Sequence, residues 1–284
     1  MNAVNNLQTS YLFCRRIART RAKNFYYSFL LLSSEQKDSM CAIYAFMRYC
    51  DDISEGEAAS SEAINQWRAD LDNALSGHYP ANPLWPAFHD TVKRYRIPHE
   101  YFYEMIEGVS GDLHPREIQT FDELYRYCYQ VASVVGLTII HIFGFDDPKA
   151  LALAEKCGIA FQLTNILRDV REDRENQRIY IPAEDIHRFS ANLAQYDANF
   201  VELMRSEAGR ARQYYNESRP LIALVHKNSR RSLWALIEIY RRLLTRIEQS
   251  NFDVLRRRIR VPTWEKLSIL AKASWPRMNA YKRE

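Results

Sequence analysis

Glycine is scarce, 8 residues in 284, and no Gly-x-Gly-x-x-Gly fingerprint occurs. The chain therefore carries no sequence sign of a dinucleotide-binding loop. No Pro-, Gly- or Ser-rich linker divides it, which favours one domain spanning residues 1–284. The five cysteines, Cys14, Cys41, Cys50, Cys128 and Cys157, are an odd number without Cys-x-x-Cys spacing. That argues against a disulfide framework or a structural zinc site. They read instead as small buried apolar residues in a reducing compartment. The first ten residues are polar and lack the apolar stretch of a signal peptide. No run of about 18 apolar residues exists, so no segment is expected to span a membrane. The longest apolar stretch, 134–145, is broken by Gly136, Thr138, His141 and Gly144. Net charge is only +4, from 39 basic and 35 acidic residues. Such a balance does not mark a nucleic-acid binder. A cytoplasmic protein is expected, with a peripheral place at the inner face of the membrane left open.

What the sequence has is helical periodicity. Ile64, Trp67, Leu71, Ala74 and Leu75 keep the spacing of one buried stripe. Leu233, Leu236, Ile237, Tyr240, Leu243, Leu244 and Ile247 repeat it near the end. Ser33 with Gln36, and Thr120 with Glu123, match capping boxes. Most prolines fall where helices should start or stop. Strand-like alternation is confined to 25–32, where a helix serves as well. The reading is all-α, about ten helices joined by short loops.

Two acidic segments carry most of the chemical information. The first runs from Tyr44 through Arg48 and Asp51 to Glu55; the second runs from Gln162 through Asn165, Arg168 and Asp169 to Asp173. Helices are predicted over about 35–55 and 148–174. Positions i and i+4 share a helix face, so Asp51 with Glu55, and Asp169 with Asp173, each form a two-carboxylate prong. Magnesium takes oxygen ligands and commonly joins one or two carboxylates to a substrate phosphate. Two prongs facing across a cavity would make a magnesium jaw. The upstream arginines suit an anionic ligand. One such pair alone would read as a solvated helix face. Two pairs with apolar flanks read as lining an interior cavity, because buried charge needs a partner. Asp52 is one position off the stripe, and Arg171 and Glu172 are expected at the surface. Asp146-Asp147-Pro148 reads as a helix cap. Glu184-x-x-His187 has the spacing of a di-iron bundle motif, but only one copy exists.

In order along almost the whole chain, these residues resemble the squalene/phytoene synthase family. The matching pieces are Asn24-Phe-Tyr-Tyr-Ser28-Phe29, Tyr44 through Glu55, Gly108 with Asp112-Leu113, Tyr127-Cys128 through Gly136, Gln162 through Asp173, and Arg178-Ile-Tyr180-Ile-Pro182. Tyr240 and the tail Asp253, Arg258, Pro262 and Lys266 also fit. The Phe25-Tyr-Tyr-Ser-Phe wording is most similar to the bacterial hopanoid-pathway branch that makes presqualene diphosphate. Departures are Glu55 where many relatives have aspartate, Ala22 and Asn24 where serines are common, and Gln177 where glycine is usual.

The resemblance implies an isoprenoid-synthase helical bundle with a central active-site cavity. It implies a prenyltransferase that condenses two farnesyl diphosphates head to head. Asp51, Glu55, Asp169 and Asp173 would be magnesium ligands. Arg48, Arg168, Arg178 and Lys23 would bind diphosphate, with Gln162 and Asn165 positioning water or substrate. Tyr44 and Tyr127 would stand near the reacting carbons, with Tyr240 at the diphosphate end. NADPH would be needed only if the reaction continues to squalene. Phytoene or dehydrosqualene synthesis is the enzymatic alternative, and a catalytically silent helical assembly factor the alternative of another class. Arg256-Arg-Arg-Ile-Arg260 reads equally as a lipid contact or a solvated helix end.

Overall fold

Short polar signals set where the helices begin. The Ser60, Thr120 and Asp197 side chains accept hydrogen bonds from the backbone N–H groups of Ala63, Glu123 and Phe200. Ser33 Oγ likewise accepts from Gln36 N–H at 3.2 Å. Asp147 accepts from Lys149 N–H at 2.9 Å, the cap expected there. Pro148, Pro182 and Pro220 stand directly before helices, where a missing N–H costs nothing.

The computed structural model describes residues 3–54, 59–113 and 117–274, without the side chains of residues 3–5, 23, 24 and 112. Among these residues are fourteen α-helices and no strand. The N-terminal half holds α1 (Ala3–Arg21), α2 (Lys23–Phe29), α3 (Ser34–Ser54), α4 (Ser61–Leu75), α5 (Trp85–Tyr95) and α6 (Glu100–Ser110). The middle holds α7 (Phe121–Cys128), α8 (Val134–Phe143), α9 (Lys149–Glu175) and α10 (Ala183–Arg188). The remainder is α11 (Ala198–Glu217), α12 (Leu221–Leu224), α13 (Arg230–Gln249) and α14 (Thr263–Ser274). The count exceeds the expected ten because α2, α10 and α12 run for only one or two turns, too brief to show a period. The prediction for the two acidic helices holds to within a residue or two.

One continuous buried cluster runs through the bundle, with α3 and α9 as its long inner helices. The predicted stripes of α4 and α13 are both buried. Phe46 sits in an aromatic nest, stacked on Phe88 at 4.7 Å and edge-on to Phe102 at 5.3 Å. That nest fixes the back of α3 and leaves its front for the cavity. All five cysteines are buried and unbridged. A second, smaller cluster joins α14 to α13 and to Tyr27 and Leu31 beside α2.

Candidate active site

Along α3, Met40, Ile43, Tyr44, Met47, Arg48 and Asp51 face a cavity of about 460 Å³. Along α9, Ala154, Cys157, Phe161, Asn165, Asp169 and Asp173 face the same space. Both series advance by steps of one, three or four, so each is one helix face. Both also change character in the same sense, from apolar to charged towards the C-terminal end of the helix. The cavity therefore has a charged end and an apolar depth, the arrangement an anionic head on a hydrocarbon tail requires.

The charged end is densely paired. Arg48 lies against Asp52 and 3.7 Å from Asp51, and Arg21 also reaches Asp52. Arg168 Nε donates to Asp169 Oδ1 at 2.8 Å, and Arg258 approaches the same oxygen at 2.9 Å. Arg258 also bonds Glu172, while Arg171 donates to the backbone carbonyls of Leu255 and Arg256 at 3.2 Å. Arg171 and Glu172, both partly exposed as expected of surface residues, also clasp the loop after α13. Burial, then the neighbouring Asp169 charge, pushes the Asp173 carboxyl up to about 7. Asn165 donates weakly to Gln162 at 3.3 Å, and its own side-chain oxygen is buried without a hydrogen-bond partner.

Arg178 is placed by the way α9 ends. Gln177 has φ +59°, Gln177 N–H bonds Arg174 O at 2.9 Å, and Arg178 N–H bonds Asp173 O at 2.8 Å. This is a Schellman turn with glutamine in the left-handed position that glycine usually fills. The turn sends Arg178 back over the site, where its guanidinium donates to Ser54 O at 3.4 Å.

Two aromatic pairs wall the cavity. Tyr127 stacks on Tyr180 at 4.7 Å, with the rings 19° from parallel. Phe161 stacks on Tyr240 at 4.2 Å, and Phe25 meets Tyr240 edge-on at 5.7 Å. Burial raises both the Tyr44 and the Tyr240 phenols to about 12, so both stay neutral.

The Tyr127–Gly136 segment owes its shape to two glycines elsewhere. Between α7 and α8 the backbone forms a π-helical turn, Tyr129–Ser133. A Cβ on Gly158 of α9 would stand 2.5 Å from Ser133 Cα, and one on Gly108 of α6 would stand 2.8 Å from Gln130 Cβ. Only glycine lets both helices clamp the turn this closely. The turn puts Val131 and Ala132 on the cavity wall. Such turns favour functional sites because they re-aim side chains.

The structure thus brings together Tyr44, Arg48, Asp51, Tyr127, Gln162, Asn165, Arg168, Asp169, Asp173, Arg178 and Tyr240 around one cavity. Glu55 and the Lys23 side chain lie outside the described residues. The sequence reading missed Phe161 as a wall residue, although its i, i+4 spacing to Asn165 puts it on the same stripe. It also gave no role to Gly158, because a close approach between helices has no local signal. Glu184 accepts from Phe121 N–H at 2.8 Å, an ordinary structural use.

The chain is similar to known proteins in sequence and in fold. The squalene/phytoene synthase family model matches residues 11–265. A phytoene synthase of Arthrospira platensis is 36% identical, covering 93% of this chain and 92% of its own. A 15-cis-phytoene synthase of Synechococcus elongatus is 35% identical, covering 95% and 94%. Among solved structures, a dehydrosqualene synthase in complex with ligand superposes with a TM-score of 0.87 at 28% identity, covering 96% of this chain and 98% of the other. A squalene synthase of Alicyclobacillus acidocaldarius gives 0.80 at 26%, covering 88% and 99%. The chain belongs to the squalene/phytoene synthase family, prenyltransferases that join isoprenoid units head to head.

Proposed function

We propose that this protein condenses two farnesyl diphosphates to presqualene diphosphate, using magnesium. The observation that carries the reading is the matched gradient on α3 and α9, charged at one end and apolar at the other. The first substrate loses diphosphate as its C–O bond breaks with the electron pair going to oxygen. The double bond of the second substrate attacks the allylic carbon, a proton is lost as the cyclopropane closes, and the second diphosphate is kept. An apolar, water-poor depth protects the cation. Arg48, Arg168 and Arg178 meet the charge that develops on the leaving group. Tyr44 and Tyr127, near the reacting carbons, offer ring faces to the cation, and the neutral Tyr44 phenol can pass a proton on.

Magnesium suits the donors present. Asp51, Asp169 and Asp173 offer carboxylate oxygens, with Glu55 as a further ligand in this reading. The buried side-chain oxygen of Asn165 lacks a hydrogen-bond partner, and Asp173 is buried beside the Asp169 charge; a bound cation would relieve both. When bound, magnesium would neutralise the leaving diphosphate.

The Phe25-Tyr-Tyr-Ser-Phe29 segment supports the C15 substrate. So does the span from Asp51 to Met40, roughly 16 Å along α3, close to the length of an extended farnesyl tail. A second reading, phytoene synthesis from C20 substrates, is favoured by the names of the relatives that are 33–36% identical. Continuation to squalene would draw a hydride from NADPH. The reading places the enzyme in the cytoplasm, peripheral to the inner face of the membrane, where its greasy substrates partition.

A product assay tests this. With magnesium and farnesyl diphosphate, presqualene diphosphate is expected, or squalene when NADPH is added. Phytoene from geranylgeranyl diphosphate alone would establish the second reading. No turnover of either would leave a silent helical factor. Asp51→Ala and Asp169→Ala should each abolish magnesium-dependent turnover; wild-type rates in either would remove the jaw.

A further inference from the structure

Three of the most exposed large apolar side chains fall on the same group of elements. Trp264 is 67% exposed, Leu267 52%, and Leu30, at the end of α2, 49%. Of the seven exposed positions on α14, Trp264, Leu267, Ser268 and Ala271 keep the 3–4 spacing of one face, with Thr263, Lys272 and Ser274 exposed beside them. The opposite face, Ile269, Leu270 and Ala273, is buried against α13 and α2. The helix therefore has an inner apolar seam that packs and an outer stripe, apolar except for Ser268, that nothing within the described residues covers.

The charge around that stripe is mostly positive. Residues 254–274 carry six basic side chains, Arg256, Arg257, Arg258, Arg260, Lys266 and Lys272, against one acid, Glu265. That is +5 in a segment of a chain whose total is +4, so the rest of the molecule sums to −1. Glu265 is already held by Arg242 and Arg246. Arg256, Arg257, Arg260 and Lys272 are exposed. An exposed tryptophan and leucine flanked by unopposed cations complement an anionic bilayer surface. On such a surface the aromatic ring and aliphatic chain would enter the boundary region, and each nearby cation would add attraction to the anionic headgroups.

The segment also touches the catalytic cavity at two points. At its start, Arg258 bonds Asp169 and Glu172, and Arg171 holds the carbonyls of Leu255 and Arg256. At its end, α14 packs behind α2, whose Phe25 and Phe29 line the cavity. We propose that α14 and the arginine-rich loop before it are the membrane-docking face, with Trp264 and Leu267 inserted into an anionic lipid surface. The two contacts would hold the cavity wall formed by α2 against the lipid that carries substrate and product. The inference rests on the peripheral-membrane part of the proposed function and is independent of the chain length used.

Vesicle co-sedimentation of the full-length protein tests it, with phosphatidylcholine vesicles and with vesicles that also contain phosphatidylglycerol. Wild type should bind the anionic vesicles and be released by raised salt. Trp264→Ser with Leu267→Ser, and separately Arg257→Gln with Arg260→Gln, should each weaken binding about tenfold or more. Both pairs are exposed, so turnover of detergent-dispersed substrate should stay at the wild-type level. Wild-type binding that survives both pairs of substitutions would overturn this face while leaving peripheral association intact. No binding by wild type would overturn both. A dimer that Trp264→Ser with Leu267→Ser dissociates, without vesicle binding, would make the stripe a contact between copies and overturn the lipid assignment.

Discussion

Arg178 donates its guanidinium to the backbone carbonyl of Ser54, 124 positions away in sequence. The bond ties the end of the first acidic helix to the turn that closes the second. It holds a cation beside Asp51, Asp169 and Asp173 at the charged end of the cavity. Arg178→Ala should lower kcat/KM by roughly 10- to 100-fold, the equivalent of one lost charge-assisted hydrogen bond. Arg178→Lys should recover part of this, because charge returns without the planar fork. Steady-state kinetics checks both, and unchanged diphosphate affinity in the alanine variant would take Arg178 out of the site.

The turn that positions Arg178 makes a separate prediction. Gln177 holds φ +59°, where a side chain is strained and glycine is not. Gln177→Gly should stabilise the protein by about 0.5–1 kcal/mol, a rise of roughly 1–3 °C in melting temperature. Activity should be retained, since Arg178 N–H still finds Asp173 O. A fall in melting temperature would show that Gln177 gains more from its side chain than the backbone loses.

These two residues also show what the sequence could reveal. Arg178 was legible because it belongs to a local motif, and Asp51, Asp169 and Asp173 because i, i+4 spacing fixes a helix face. Helix existence was legible for α4 and α13, whose periods run several turns, and not for α2 or α10. What stayed hidden was non-local. The loop clasp of Arg171 and Arg258, the Phe161–Tyr240 stack and the seat of the π-helical turn depend on which helices meet. Gly158 resembles any helical glycine until Ser133 is seen against it.

Gly158→Ala tests that seat. The added methyl would stand 2.5 Å from Ser133 Cα and 2.8 Å from Ala132 O, both backbone atoms that cannot rotate away. Overpacking of this kind costs about 1–3 kcal/mol or more. Here it should also displace Val131 and Ala132 from the cavity wall. We expect a lower melting temperature together with a reduced kcat on folded protein. Gly209, whose added Cβ would meet nothing within 4 Å, is the control. Gly209→Ala should gain up to about 1 kcal/mol, since it lies inside α11. Equal behaviour of the two variants would show that the π-helical turn does not need the close approach.

Away from the cavity, one guanidinium serves two buried carboxylates. Arg210 Nη1 is 2.8 Å from Glu207 and 2.9 Å from Asp185, and both acids are nearly inaccessible. Arg210 also lies 4.2 Å from the centre of the Phe121 ring, which leaves little room for water. Burial first, and the Asp185 charge after it, push the Glu207 carboxyl up to about 7 against the pull of Arg210. The folded protein therefore keeps a proton that the unfolded chain releases near 4.5. The stability tied to that proton is complete below 4.5 and is lost as pH rises through 7. Glu207→Gln keeps the shape and removes the titration. Near pH 5 its melting temperature should match wild type. By pH 8 it should exceed wild type by an amount on the order of 2 kcal/mol, or roughly 4 °C. A constant offset between the two melting curves across this range would mean that Glu207 is ionised throughout and that Arg210 neutralises both acids.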